Sequence, residues 1–212
     1  MTIICLARSA HFMQRKQSSM DHPSLPESAP RGTILLVSGG RRAGKSTLLF
    51  AIRQAVQAAG LSVGGLHSPA RFEDGTKTGI DLVDAATGQA LPLAEAGTGG
   101  TVSTGRYSFD PAALAAGLAY AERGKTADVF LVDELGPLEL VRGEGWAGII
   151  PMLRQRAFGV ALVVVRPELL DQARAALDLA ADSPLIQVDE PERDTLATCV
   201  SAWLIRNLTA AP

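Results

Sequence analysis

The 212 residues carry 20 Lys and Arg against 22 Asp and Glu, a formal charge of −2, which suits one domain with a substantial core and leaves no concentrated basic face for nucleic acid. Cys5 and Cys199 lie far apart without metal-ligand spacing, so a disulfide framework is excluded and free thiols in a reducing, cytoplasmic setting are expected. No run approaches the roughly 20 apolar residues of a membrane-spanning helix, and His11, His22 and His67 are too scattered for a zinc site.

Residues 1–31 read as a flexible extension, Ser- and Pro-rich from Gln14 to Pro30, with Ile3 to Ala7 too short for a signal-peptide core. The remainder, residues 32–212, reads as a single domain. It opens with a β-branched apolar strand, Thr33 to Ser38, followed by Gly39-Gly40-Arg41-Arg42-Ala43-Gly44-Lys45-Ser46-Thr47 and then by a segment of helical apolar spacing to Val56. Strand, glycine-rich loop and helix in this order form a cradle for the phosphates of a nucleoside triphosphate. Glycines let backbone N–H groups turn inward, Lys45 supplies a point charge, and Ser46 offers a hydroxyl to Mg²⁺. The helix N-terminus adds its partial positive charge. Arg41 and Arg42 occupy variable positions of this loop and are expected to point outward.

Leu61 to Ser68 reads as a second strand, and Thr78 to Asp84, a turn at Gly88 and Gln89 to Leu93 read as an inserted β-hairpin with Lys77 as a charge at its tip. Ala94 to Thr104, rich in Gly and Thr, has the composition of a mobile loop, and Asp110-Pro111 opens a helix whose apolar face runs through Leu114, Leu118 and Ala121. Gly124-Lys125-Thr126 repeats the end of the phosphate-loop pattern, but Ala119 stands where the leading glycine belongs and a strand follows. It reads as a polar turn. Strand Val129 to Asp133, helix Trp146 to Arg156, strand Val160 to Val165, helix Pro167 to Ala181, strand Leu185 to Val188 and helix Arg193 to Leu208 complete the chain. Near-continuous apolar strands alternating with amphipathic helices predict an α/β fold with a mostly parallel sheet covered on both faces.

The second chemical element is Asp133-Glu134 at the end of a buried strand, where ligands collect in parallel sheets. Asp133 is expected to hold Mg²⁺ opposite Ser46, directly or through water, and Glu134 to polarise an attacking water. A solvated turn is the plain alternative. Phosphoryl transfer also gains from a cation on the developing charge. Arg166, after a strand at the same edge, and Arg106, after the loop, are the candidates beside Lys45. Trp146 is expected in the core rather than stacked on a base.

Together these residues resemble a known family, the small nucleoside triphosphatases of archaea, bacteria and animals of the cancer-related type. The similarity spans Thr33 to Trp203 and includes Gly64-Gly65-Leu66-His67-Ser68-Pro69, Gly79-Ile80-Asp81-Leu82-Val83, Gly105-Arg106-Tyr107 and Val132 to Leu140. The resemblance implies a three-layer, RecA-like phosphate-loop fold, Mg²⁺-dependent hydrolysis of a γ-phosphate with broad base tolerance, and Glu134 as the catalytic acid residue beside a metal-associated Asp133. The chain departs from the family pattern after Pro69, where Ala70-Arg71-Phe72 lacks a glutamate and carries its arginine displaced by one. A nucleotide or small-metabolite kinase, with Ala94 to Arg106 as its lid, and a nucleotide-binding adaptor with little turnover stand as alternatives to the hydrolase. Neither a membrane nor a nucleic-acid partner is expected, and the sequence fixes no oligomeric state.

Overall fold

A computed structural model describes residues 25–97, 102–104 and 107–209. Its sheet begins with β1 (Thr33–Ser38), whose side chains alternate between two separate apolar layers. Leu35 and Val37 pack under α1 (Lys45–Ala58) and α6 (Arg193–Thr209), which bury Leu48, Leu49, Ile52 and Val56 and Leu196, Val200, Trp203 and Leu204 against them. Ile34 and Leu36 face the opposite layer, built from α2 (Pro111–Gly124), the short α3 (Pro137–Leu140), α4 (Ile149–Gln155) and α5 (Leu170–Ala176). A strand covered on both faces has no place for alternating polar residues, which is why it reads as an unbroken apolar run. Each fully buried Leu or Val contributes about 1.5–3 kcal/mol relative to exposure.

Beside β1 run β10 (Leu185–Gln187) and β9 (Val160–Val165), then β8 (Val129–Leu135) and β2 (Val63–His67), all parallel in the order β10-β1-β9-β8-β2. The loop-bearing strand β1 and the acid-bearing strand β8 are therefore separated by β9. Their carboxyl ends lie along one edge, and whatever follows β9 falls between the phosphate loop and the two acids. This is the mostly parallel sheet with helices on both faces that the sequence predicts, and it agrees with the three-layer, RecA-like fold that the resemblance implies.

The inserted hairpin is larger than its two predicted strands. Antiparallel to β2 runs β4 (Thr76–Asp84), which also pairs with β3 (Ala70–Glu73) and β5 (Ala90–Ala96), and the sheet continues through β7 (Tyr107–Phe109) to β6 (Val102–Thr104). Much of the stretch predicted as a mobile loop, Ala94 to Thr104, is thus strand at both ends. Buried Ala94 pairs with Ile80 on one side and Phe109 on the other, so cross-strand packing overrides the weak β-propensity of its sequence. Lys77 lies within β4 rather than at a tip, its Nζ 4.6 Å from the Tyr107 ring centroid, and the turn is made by Asp74-Gly75, both at positive φ.

Asp110 caps α2 as expected, its Oδ1 accepting from the Ala112 N–H at 2.8 Å, with Pro111 in the first helical position. The helix predicted from Trp146 begins only at Ile149, and Pro167 starts with a 3₁₀ turn before α5, which stops at Ala176. Gly124 closes α2 against β2, where a Cβ would stand 2.5 Å from Gly64 Cα, so the Gly-Lys-Thr look-alike is a packing turn. The last part of the predicted extension is held: Trp203 Nε1 donates to Pro26 O at 2.6 Å, and Ala29 N to Asn207 Oδ1 at 3.1 Å. Residues 1–24, including Cys5, His11 and His22, lie outside the described residues. Among the described residues no helix is long and apolar enough to cross a membrane.

Candidate functional site

Between β1 and α1 the chain makes a tight turn in which Gly39 and Gly44 are positions that disfavour a side chain. Gly44, the residue before α1, sits at φ 86° with no side-chain cap on the helix, and the first turn holds no acidic residue. The leading amides of α1 are thus left for a ligand, and an anion is the ligand a helix N-terminus favours. A Cβ on Gly39 would stand 2.3 Å from Val188 O, whereas one on Gly40 would meet nothing within 4 Å. Arg41 and Arg42 are exposed, as predicted, with Arg42 at φ 65°. Lys45 Nζ donates to Gly39 O and Gly40 O, both at 2.8 Å, folding its charge across the loop. Burial lowers the Lys45 pKa, opposed by the nearby Glu134 and Asp133 carboxylates.

At the facing edge, β8 pairs with β9 as Val132↔Val163 and then Leu135↔Val165, so two residues of β8, Asp133 and Glu134, stand opposite one residue of β9. This is a β-bulge. It breaks the strict alternation that would send neighbouring side chains to opposite faces, and re-aims side chains at the strand end. Glu134 has φ 84°, a strained conformation for a non-glycine residue and the kind found at functional sites.

Asp133 is 3% exposed and heavily engaged. Ser46 Oγ donates to its Oδ1 at 3.1 Å, Ser68 N donates to Oδ2 at 3.0 Å, and His67 Nδ1 lies 3.0 Å from Oδ2, outside good hydrogen-bond alignment. Burial pushes the carboxyl upward, but His67, Ser68 and Ser46 outweigh it and hold Asp133 below the ordinary carboxylate value. Glu134 is more open, and Arg166, carried by the end of β9, grips it by a hydrogen-bonded ion pair from Nε to Oε1.

A further carboxylate fixes the turn behind the acids. Glu139 Oε2 accepts from Gly136 N at 2.9 Å and Oε1 from Trp146 N at 3.1 Å, while Trp146 Nε1 donates to Leu114 O at 3.1 Å. Burial raises the Glu139 pKa, and the two amides offset only part of that. Trp146 is accordingly core, as predicted. Replacing Glu139 by Leu removes the buried charge but strands two buried amides, each costing about 1–3 kcal/mol. We expect a net loss of about 2 kcal/mol in urea unfolding; an unchanged midpoint would show that the turn holds without its acceptor.

The structure therefore brings Lys45, Ser46, Asp133, Glu134 and Arg166 to one edge. Arg106 lies outside the described residues. Arg71, in the segment that departs from the family pattern, is turned along the sheet, with Nη1 donating to Asp81 Oδ1 at 3.0 Å and Nη2 to Glu95 Oε1 at 3.3 Å. A register shift in the β3–β4 pairing falls between Arg71 and Phe72. His67, set aside in the sequence as part of a scattered set, is the residue that sequence reasoning missed. The parallel register Leu66↔Val132 puts it beside Asp133, a relation visible only once β2 and β8 are known to be neighbours.

Ser46 Oγ and the Asp133 carboxylate are hard oxygen donors, which suit Mg²⁺. Among the described residues no three His, Cys, Asp or Glu side chains gather as a cage. A Mg²⁺ ion fits such a site when nucleotide phosphates and water complete its shell, its usual mode of binding.

A family model described as NTPase matches residues 34–201. The nucleoside-triphosphatase THEP1 of Methanopyrus kandleri is 34% identical over 107 residues, covering 50% of this chain and 59% of that protein. For the protein of the same name from Ignicoccus hospitalis the values are 37% over 106 residues, 50% and 60%. The chain thus spans about three-fifths of the length of these two curated relatives. The crystal structure of THEP1 from Aquifex aeolicus superposes with a TM-score of 0.59 at 17% identity, covering 81% of this chain and 99% of that one. The solution structure of a human cancer-related nucleoside triphosphatase gives 0.60 at 18%, covering 80% and 96%, so both share the fold. With a phosphate loop, an acid-ended strand at the same sheet edge and a family match across nearly all the described core, the chain belongs to the NTPase family.

Proposed function

We propose that the protein hydrolyses the γ-phosphate of nucleoside triphosphates in a Mg²⁺-dependent reaction, releasing nucleoside diphosphate and phosphate. The observation that carries this reading is the 3.1 Å hydrogen bond from Ser46 Oγ to Asp133 Oδ1, which joins the phosphate loop to the acidic strand end. The curated relatives bear the name nucleoside-triphosphatase, which agrees with it.

The loop amides and Lys45 bind the β- and γ-phosphates, Lys45 exchanging its Gly39 and Gly40 carbonyls for phosphate oxygens. Ser46 and Asp133 would hold Mg²⁺, which when bound would supply positive charge against the negative charge of the phosphates. Glu134 orients a water molecule and accepts its proton as the water oxygen bonds to the γ-phosphorus and the bond to the β-phosphate bridging oxygen breaks. Arg166, between loop and acids, steadies Glu134 before attack and offers its charge to the departing phosphoryl group.

The test is phosphate release from ATP, GTP, CTP and UTP, with and without Mg²⁺ and candidate acceptors, for wild type and Lys45→Ala. Free phosphate should appear from wild type only with Mg²⁺, and Lys45→Ala should lower kcat/KM by about 10²-fold or more. Transfer to an acceptor without free phosphate would replace the hydrolase reading with a kinase one, and tight binding with no turnover would replace it with an adaptor.

A further inference from the structure

A buried histidine calls for a polar partner, and among the described residues the one that His67 meets is Asp133 of the proposed metal site. At the end of β2 it is 5% exposed, beneath the α1 residue Phe50, whose ring centroid lies 6.2 Å away at an interplanar angle of 30°. Its Nδ1 approaches Asp133 Oδ2 to 3.0 Å yet lacks a well-aligned hydrogen-bond acceptor. A buried polar atom so poorly satisfied costs stability, and an apolar side chain of similar size would fill the same space without that cost. The imidazole is therefore poorly explained by packing.

The division of labour on Asp133 supplies an explanation. Oδ2 faces His67 Nδ1 at the end of β2 and Ser68 N just beyond it, both at 3.0 Å, whereas among the described residues Oδ1 meets only the loop hydroxyl of Ser46, at 3.1 Å. The hydrogen bond from Ser68 N and the charge-favoured contact of the His67 ring on the same oxygen restrain the rotation of the carboxylate, leaving the other oxygen toward the phosphate loop. Groups that orient a metal-binding side chain in this way commonly change metal affinity by about 10–100-fold when removed.

We infer that His67 is a positioning residue that, with Ser68 N, holds Asp133 Oδ2 so that Oδ1 is presented to the Mg²⁺ of a bound Mg²⁺–nucleotide. The inference rests on the proposed assignment of Asp133 as a metal-binding residue.

Equilibrium binding of a fluorescent ATP analogue tests it without relying on turnover. Affinity is measured in EDTA and across a Mg²⁺ titration for wild type, His67→Leu and His67→Asn, the last because its amide keeps a donor near the Nδ1 position. His67→Leu should leave affinity in EDTA unchanged and raise the half-saturating Mg²⁺ concentration about 10-fold, and His67→Asn should restore most of the wild-type response. The inference is overturned if His67→Leu titrates like a Mg²⁺-responsive wild type, if Asn is no better than Leu, or if affinity in EDTA falls in step, the mark of a general structural role. A wild type whose nucleotide affinity ignores Mg²⁺ would overturn the underlying metal assignment and this inference with it.

Discussion

Glu134→Gln is expected to lower the rate of phosphate release by about 10²–10⁴-fold, the range for loss of a general base, while leaving nucleotide affinity close to wild type. The amide keeps the size of the side chain and an oxygen for Arg166, so the strained turn at φ 84° and the arrangement around it are retained. What it cannot do is take a proton from water. Asp133 is a poor substitute base, because its oxygens are engaged by Ser46 and Ser68, with His67 in contact, and its carboxyl sits below the ordinary value. Single-turnover phosphate release beside equilibrium nucleotide binding separates the two effects. Wild-type turnover in Glu134→Gln would remove Glu134 from the chemistry even if the protein hydrolyses nucleotides. A parallel loss of affinity would instead place the carboxylate in ground-state binding.

The sequence revealed the parts of this site that depend on local chemistry. Gly39, Gly44, Lys45 and Ser46 are recognisable because a phosphate loop needs them within one short segment, and the central strands β1, β8 and β9 because burial on both faces demands long apolar runs. Asp133 and Glu134 were legible as acids at a strand end. That both occupy the same bulge was not, because a bulge is a property of pairing with β9 and leaves no local mark on β8. His67 was hidden for the same reason, since its relation to Asp133 passes through the β2–β8 register. The strands at Ala94 to Ala96 and Val102 to Thr104 have the composition of a loop because short Ala-, Gly- and Thr-rich segments owe their pairing to neighbours. Glu139 was visible only as part of a resemblance, and its two backbone contacts supply the physical reason for its place.

Gly65→Ala is the substitution expected to harm the fold most, although Gly65 touches no ligand-binding residue directly. The residue has φ 96°, and a Cβ there would stand 2.0 Å from Leu131 O on β8, a backbone atom that no side-chain rotation can move. Strain at such a φ costs about 1–3 kcal/mol before the clash is counted, so a total loss above about 3 kcal/mol is expected, within reach of the whole stability of a small domain. Gly40→Ala supplies the contrast: it lies in the phosphate loop, its Cβ would meet nothing within 4 Å, and its stability should change by less than about 0.5 kcal/mol. Urea unfolding of the two variants makes the comparison, and equal midpoints would show that β2 can retreat from β8 at little cost. Retreat has a further consequence, because His67 at the end of β2 and Ser68 just beyond it follow Gly65 and reach Asp133 through this close approach. Any folded Gly65→Ala protein should therefore show a weakened Mg²⁺ dependence of nucleotide binding, tying the glycine to the site through the spacing of two strands.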